Sequence, residues 1–183
     1  ILSGLHRPDA GRILLEGHEV SFDSARDALA AGIGYVQQHF SLIPTLTVAQ
    51  NAVLALRAGG AKISLAAAAE GVQALAERYG SEVEQRVRVE ELGVGDQQRA
   101  EILKALIREP RVLILDEPSA LLTPQEASEL ATLLRRLADE GVAIFLISHK
   151  LEEVLEVADR VSILRRGRHV ETLRASQATR SKL

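Results

Sequence analysis

Cysteine, methionine and tryptophan are absent from the 183-residue sequence, and aromatic residues amount to only 3%. Without thiols there can be neither a disulfide framework nor a thiolate metal site, which fits a reducing compartment. The scarcity of rings leaves any core to Leu, Ile, Val and Ala. Long apolar runs are missing too: none approaches the ~18 residues of a membrane-spanning helix. The opening Ile1-Leu2-Ser3-Gly4-Leu5-His6-Arg7-Pro8-Asp9 lacks the basic start, apolar middle and cleavage site of a signal peptide. Nor does one sign of charge dominate. Lys and Arg total 22 against 25 Asp and Glu, net −3, which argues against a dedicated nucleic-acid-binding protein with its basic surface. With no initiating Met, the chain reads as a piece cut from something longer.

What is present is an ordinary globular composition, 46% hydrophobic and 26% charged, enough for one domain. Residues 1–5 read as the last turn of a helix, stopped by Arg7-Pro8-Asp9. Strands are expected over 12–16, 32–38, 112–115, 142–147, 160–164 and 168–173. Helices are expected over 24–31, 47–57, 65–79, 97–109, 124–140 and 151–157. Ala58-Gly59-Gly60 reads as a flexible link. Strands alternating with helices, several of them continuous apolar runs, predict an α/β fold with a mostly parallel sheet flanked by helices. The polar stretch 174–183 reads as a linker.

Four features carry chemistry. Val112-Leu113-Ile114-Leu115 is a buried-strand pattern that ends in Asp116-Glu117-Pro118, so two carboxylates emerge where open parallel sheets bind ligands. Asp116 suits a Mg²⁺ ion or its water, and Glu117 suits polarising an attacking water. A cap for the following helix is the plain alternative. The apolar run 142–147 ends at the same edge in Ser148-His149, which places an imidazole beside the acids. Leu92-Gly93-Val94-Gly95-Asp96-Gln97-Gln98-Arg99 is a glycine-rich turn entering a helix, an arrangement that favours an anion. Gln38, after the strand Gly34-Tyr35-Val36, is uninformative alone.

In this order the four features resemble the ABC ATPase family: a Q-loop at Gln38, a signature motif at Leu92 to Arg99, a Walker B strand at Val112 to Glu117 and a switch His149. The resemblance spans Ile1 to about Leu173. Gly32 to Phe40, Pro44 to Val48 and Ala120 to Pro124 are similar to the first of two fused nucleotide-binding domains in importers of simple sugars and nucleosides. It implies a P-loop NTPase-type sheet with an inserted helical subdomain at about 41–107, within a partial domain over 1–173 whose linker leads to a second one. It also implies ATP and Mg²⁺ as ligands. Glu117 would activate water, His149 would hold the γ-phosphate, and Asp116 and Gln38 would attend the metal. Leu92, Gly93, Val94, Gly95, Asp96 and Gln97 would serve the nucleotide on the partner domain.

The implied partners are a second nucleotide-binding domain, fused or dimeric, transmembrane permease subunits and, indirectly, a solute-binding protein. The implied location is the cytoplasmic face of the membrane. Three departures stand out. No G-x-x-x-x-G-K-[ST] phosphate loop occurs, so this segment alone should be inactive. Gly93 stands where the family has Ser, and Asp96 replaces a longer Gln or Glu. The rival readings are a non-transport ABC ATPase acting on ribosomes or DNA, and a degenerate regulatory ABC domain. Roughly fifty residues without sustained heptads separate Gln38 from Leu92, which argues against the coiled-coil DNA-repair type.

Overall fold

The structure, a computed structural model, describes residues 1–58, 60–81 and 83–178. Gly59 of the expected flexible link and residues 179–183 of the expected linker lie outside the described residues. Residues 1–5 do not form a helix. They make a single turn in which the Gly4 N–H donates to the Ile1 carbonyl at 2.9 Å. Gly4 has φ 73°, and a Cβ there would lie 2.2 Å from the Ser24 carbonyl oxygen, so only glycine seats this turn. β1 (Ile13–Leu15) pairs antiparallel with β2 (His18–Val20). Glu16 and Gly17, at φ 51° and 82°, supply the two left-handed residues that a tight type I′ hairpin turn demands. Nothing in the sequence marks β2 as a strand, because His-Glu-Val is too short to show a period.

After α1 (Ala25–Ala30), whose N-cap Ser24 accepts from the Asp27 N–H, the chain enters β3 (Ile33–Val36). α2 (Val48–Ala58), α3 (Leu65–Tyr79), a 3₁₀ turn (Val89–Glu91) and α4 (Val94–Leu106) follow. α4 starts three residues earlier than its apolar spacing suggests, with Gly93 as its N-cap. Then come β4 (Val112–Asp116), α5 (Pro124–Asp139), β5 (Ala143–Ile147) and α6 (Leu151–Val157). β6 (Arg160–Arg165) and β7 (Arg168–Arg174) form a separate antiparallel hairpin, which takes in Arg174 from the expected linker.

The central sheet has the order β3-β4-β5, all parallel, with Val36 level with Leu115 and Asp116 level with Ile147. β4 is buried on both faces, as its unbroken apolar run predicts. Leu113 and Leu115 pack with Val36, Ile102, Leu130 and Leu134 on one side; Val112 and Ile114 pack with Phe22, Ala28 and Ile33 on the other. Each fully buried Leu contributes about 1.5–3 kcal/mol. β5 reads equally apolar, yet only one face is covered: Phe145 and Ile147 remain 52% and 50% exposed. The difference is positional: no described element covers that face of β5, whereas β3, at the opposite edge of the sheet, is buried. A second apolar cluster joins α2, α3 and one face of α4 through Val48, Ala52, Val72, Ala76, Ala100 and Leu103.

α5 begins with a reciprocal cap. The Thr123 hydroxyl accepts from the Glu126 N–H at 3.3 Å, and the Glu126 carboxylate accepts from the Thr123 N–H at 2.8 Å. The hydrogen bond from the Thr123 backbone, then that from its hydroxyl, holds the Glu126 carboxyl below its ordinary range, with the Arg99 charge assisting. A depressed folded pKa means this contribution is present above the unfolded Glu value and fades as pH falls through the folded one. Thr123→Ala keeps the backbone donor but removes the hydroxyl from this cap, and is expected to lower stability measurably near neutrality. The difference from the parent should shrink below about pH 4, as read by urea denaturation at several pH values.

Candidate active site

The parallel register brings three strand ends to one edge: Gln37-Gln38 after β3, Asp116-Glu117 at the end of β4 and Ser148-His149 after β5. At Glu117 the chain leaves the ladder. Its N–H donates to the Ile147 carbonyl at 2.8 Å, and its φ of 48° lies in the left-handed region. Such a conformation costs a non-glycine residue about 1–3 kcal/mol and clusters at functional sites. Both Glu117 oxygens lie 2.8 Å from His149 Nδ1. A carboxylate only accepts, so Nδ1 carries the hydrogen and donates. The Glu117 side chain is 15% exposed, while the ring of His149 is 75% exposed and leaves Nε2 free to meet a ligand. The expected acid and the expected imidazole are thus in direct contact.

Asp116 has a partner the sequence reading missed. The Tyr35 hydroxyl donates to Asp116 Oδ2 at 3.2 Å. Burial first, then the Asp116 charge and the hydrogen bond to it, push the Tyr35 phenol above its ordinary pKa, so it stays a donor. The available signal was modest: Tyr35 lies in the strand beside β4, three residues before Gln38.

Gln38 is exposed and makes no side-chain hydrogen bond among the described residues. The loop beyond it is anchored from behind. Ser41 donates its N–H to Glu101 Oε2 at 3.2 Å and its hydroxyl to Glu101 Oε1, and Lys104 Nζ lies 2.5 Å from both Glu101 Oε1 and Ser41 Oγ. Asn51 clasps Ile43 through both its backbone groups, at 2.8 and 3.2 Å. A groove of about 360 Å³ runs alongside, lined by Tyr35, Ile43, Leu54, Ala55, Lys104 and Arg108.

The glycine-rich turn splits into two halves. Gly93 is the N-cap of α4 and is exposed, as is Val94. Gly95 is buried against α5: a Cβ there would fall 1.9 Å from a Glu126 carboxylate oxygen. Asp96 pairs with Arg99 at 2.8 Å, and Arg99 reaches Glu129 of α5 at 2.6 Å. Gln97 donates to the Leu92 carbonyl at 2.9 Å. The turn is pinned to α5 while its Gly93-Val94 tip faces outward. It does not meet Glu117 or His149 within this chain.

Among the described residues no three His, Asp or Glu side chains gather into a metal cage, so a hard cation at the strand edge would be held by the single carboxylate of Asp116 and by water. Tyr35 engages one oxygen of Asp116, and a carboxylate oxygen with water is the ligand type that Mg²⁺ takes. No helix among the described residues is long and apolar enough to cross a membrane.

An α/β fold with a parallel sheet, acids and an imidazole at its C-terminal edge and helices packed on both faces is of the P-loop NTPase type. The chain belongs to the ABC transporter family, whose family model matches residues 1–120. It is 46% identical to a glucose import ATP-binding protein of Haloferax volcanii, with 100% of this chain and 38% of that protein aligned. It is 41% identical to a nucleoside import ATP-binding protein of Lactococcus lactis subsp. cremoris, covering 100% of this chain and 36% of the relative. A ribose import ATP-binding protein of Streptomyces avermitilis shares 44% identity over 96% of this chain and 34% of its own length. The chain thus spans little more than a third of these relatives. Among solved structures, a nucleotide-free ATP-binding cassette from an ABC transporter superposes with a TM-score of 0.81 at 20% identity, over 94% of this chain and 73% of that one. A Clostridium perfringens component of an ABC transporter complex gives 0.80 at 28%, over 96% and 70%.

Proposed function

We propose that this chain is part of the ATP-hydrolysing subunit of an ABC importer for simple sugars or nucleosides, working at the cytoplasmic face of the membrane. The carrying observation is the contact between Glu117 and His149 at the edge that also presents Asp116. The relatives named for glucose, nucleoside and ribose import support the transport assignment. Bound ATP would supply a γ-phosphorus open to in-line attack by water. Glu117 would hold that water and accept its proton. Asp116, kept in place by Tyr35, and Gln38 would attend Mg²⁺. His149, with Nδ1 committed to Glu117, would present Nε2 to the γ-phosphate; it donates there only while the ring is protonated.

The helices over about 41–107 would form the subdomain that carries the signature turn to a second nucleotide-binding domain. A dimeric ATP-binding cassette bound to ADP and phosphate shares this fold, which supports that pairing. The groove beside Ile43 and Leu54 would face the permease, so that a shift at Gln38 reaches the membrane subunits through Ser41 and α4. A solute-binding protein would act only through the permease.

The test is Mg²⁺-dependent ATP hydrolysis by the full-length subunit, reconstituted in vesicles with its membrane partners. Hydrolysis is expected to rise when solute and its binding protein are added; stimulation by ribosomes or DNA instead would overturn the transport reading. Gly93 adds a second expectation. Its φ of −62° suits any residue, and a Cβ there meets nothing within 4 Å. Gly93→Ser should therefore fold unchanged and return a hydroxyl to the partner's nucleotide. The added charged-group hydrogen bond is worth roughly 1.5–3 kcal/mol, or roughly tenfold or more in ATP affinity at that site by equilibrium titration.

A further inference from the structure

Two loops bear the hydrolytic groups, and a residue on a third element ties them together. Glu153 lies in the first turn of α6. Its Oε2 accepts from the Ser119 hydroxyl at 2.7 Å and from the Ser148 hydroxyl at 2.8 Å. Ser119 is completely buried and sits two residues after Glu117; Ser148 immediately precedes His149. The same Ser148 oxygen accepts the Lys150 N–H at 3.0 Å, and Lys150 Nζ donates to the Ser119 carbonyl at 2.7 Å. One carboxylate oxygen therefore fixes the residue beside the imidazole and the residue just beyond the acid. Lys150 closes the ring from the other side.

We propose that Glu153 is a positioning residue for the Glu117–His149 pair. This rests on the hydrolytic role proposed for that pair, and Glu153 acts on it through Ser119 and Ser148 rather than on the reacting atoms. The physical need is specific. His149 sits on an exposed loop and its ring is largely solvent-facing, so little packing holds it over Glu117. Glu117 in turn sits at a left-handed backbone position that the surroundings must enforce. Hydrogen bonds to an ionised acceptor are short and about twice as strong as neutral ones. Two of them converging on one oxygen hold the 117–120 and 148–150 segments at a fixed separation. Reactive geometry tolerates errors well under an ångström, so losing this tie should slow turnover without weakening nucleotide binding.

The experiment compares Glu153→Ala, Glu153→Gln, Ser148→Ala and their combination in the full-length subunit. Glu153→Ala is expected to lower kcat for ATP about tenfold or more while KM changes less than about threefold. Glu153→Gln keeps a carbonyl oxygen for both hydroxyls and should recover kcat to within about threefold of the parent. Ser148→Ala added to Glu153→Ala should cause no further loss, because the two belong to one unit. Hydrogen exchange on the same proteins should speed up at 117–120 and 148–150 and stay unchanged in β3 and α5. A Glu153→Ala protein with parental kcat and parental exchange would overturn the proposal, as would losses that multiply in the combination. If the parent hydrolyses no ATP, the hydrolytic reading fails separately, and the exchange data still decide whether Glu153 ties the loops.

Discussion

Glu117→Gln in the full-length subunit should abolish steady-state turnover, with kcat reduced at least about 100-fold, while ATP still binds. A positioned general base contributes roughly 10²–10⁴ in rate, and Glu117 is the residue at the edge that combines a half-buried carboxylate with a direct imidazole partner. The substitution removes little else. Gln has the same shape, and its Oε1 still accepts from His149 Nδ1, so the local geometry survives. The backbone N–H bond to Ile147 and the left-handed φ do not depend on the side-chain charge. The expected product is a protein that folds normally, retains ATP and fails to release phosphate, seen as a stable nucleotide-bound state after gel filtration. Hydrolysis at the parental rate would remove Glu117 from the base role and leave its contact with His149 as structural. Asp116→Asn would separate the neighbouring acid: a loss chiefly in Mg²⁺ dependence is expected there, since its oxygens sit in the polar environment that suits a hard cation.

That edge was legible in sequence because its signals are local. A four-residue apolar run ending in Asp116-Glu117 has the length and pattern of a buried strand delivering acids to its C-terminal end. The run 142–147 makes the same statement for His149, and parallel pairing aligns them. What could not be read were contacts set by tertiary placement. Tyr35 reaches Asp116 only because β3 lies next to β4, and Glu153 reaches Ser119 only because α6 packs back across the edge. Equal apolarity also hid unequal burial, since nothing in Ala143 to Ile147 distinguishes an edge strand from a central one. At the glycine-rich turn the residue types were visible but their division was not. Gly93 leaves open space, whereas a Cβ at Gly95 would displace the carboxylate of Glu126, thirty-one positions away in sequence. β2 and the N-terminal turn were misread for the opposite reason: segments of three to five residues carry no period, so their conformation is decided by the hairpin turn and by the seat on Ser24.

Lys104→Met is expected to produce the largest stability loss, about 3–5 kcal/mol, because it strips the cation from a carboxylate with no access to water. Glu101 is 0% exposed, and Lys104 Nζ lies 2.5 Å from its Oε1. Met retains most of the stem's apolar packing, so the loss isolates the charge. The Ser41 N–H and hydroxyl would remain as the carboxylate's donors, which satisfy hydrogen bonding without neutralising it. Making Glu101→Gln in the Lys104→Met background should recover more than half of the loss, since a neutral amide still accepts from Ser41 and carries no uncompensated charge. Urea denaturation reads both steps; at a typical slope of 1–3 kcal/mol per molar, the single variant should fall by about 1 M or more in midpoint. Equal stability of parent and Lys104→Met would show that Glu101 is neutralised some other way. The consequence reaches beyond stability, because Ser41 follows Gln38 by three residues and α4 begins at the Gly93 turn. The Glu101 cluster would then be the joint between the two loops proposed to sense nucleotide on either side. A protein that remains folded at low temperature with this joint broken should still bind ATP, yet lose the stimulation of hydrolysis by its membrane partners.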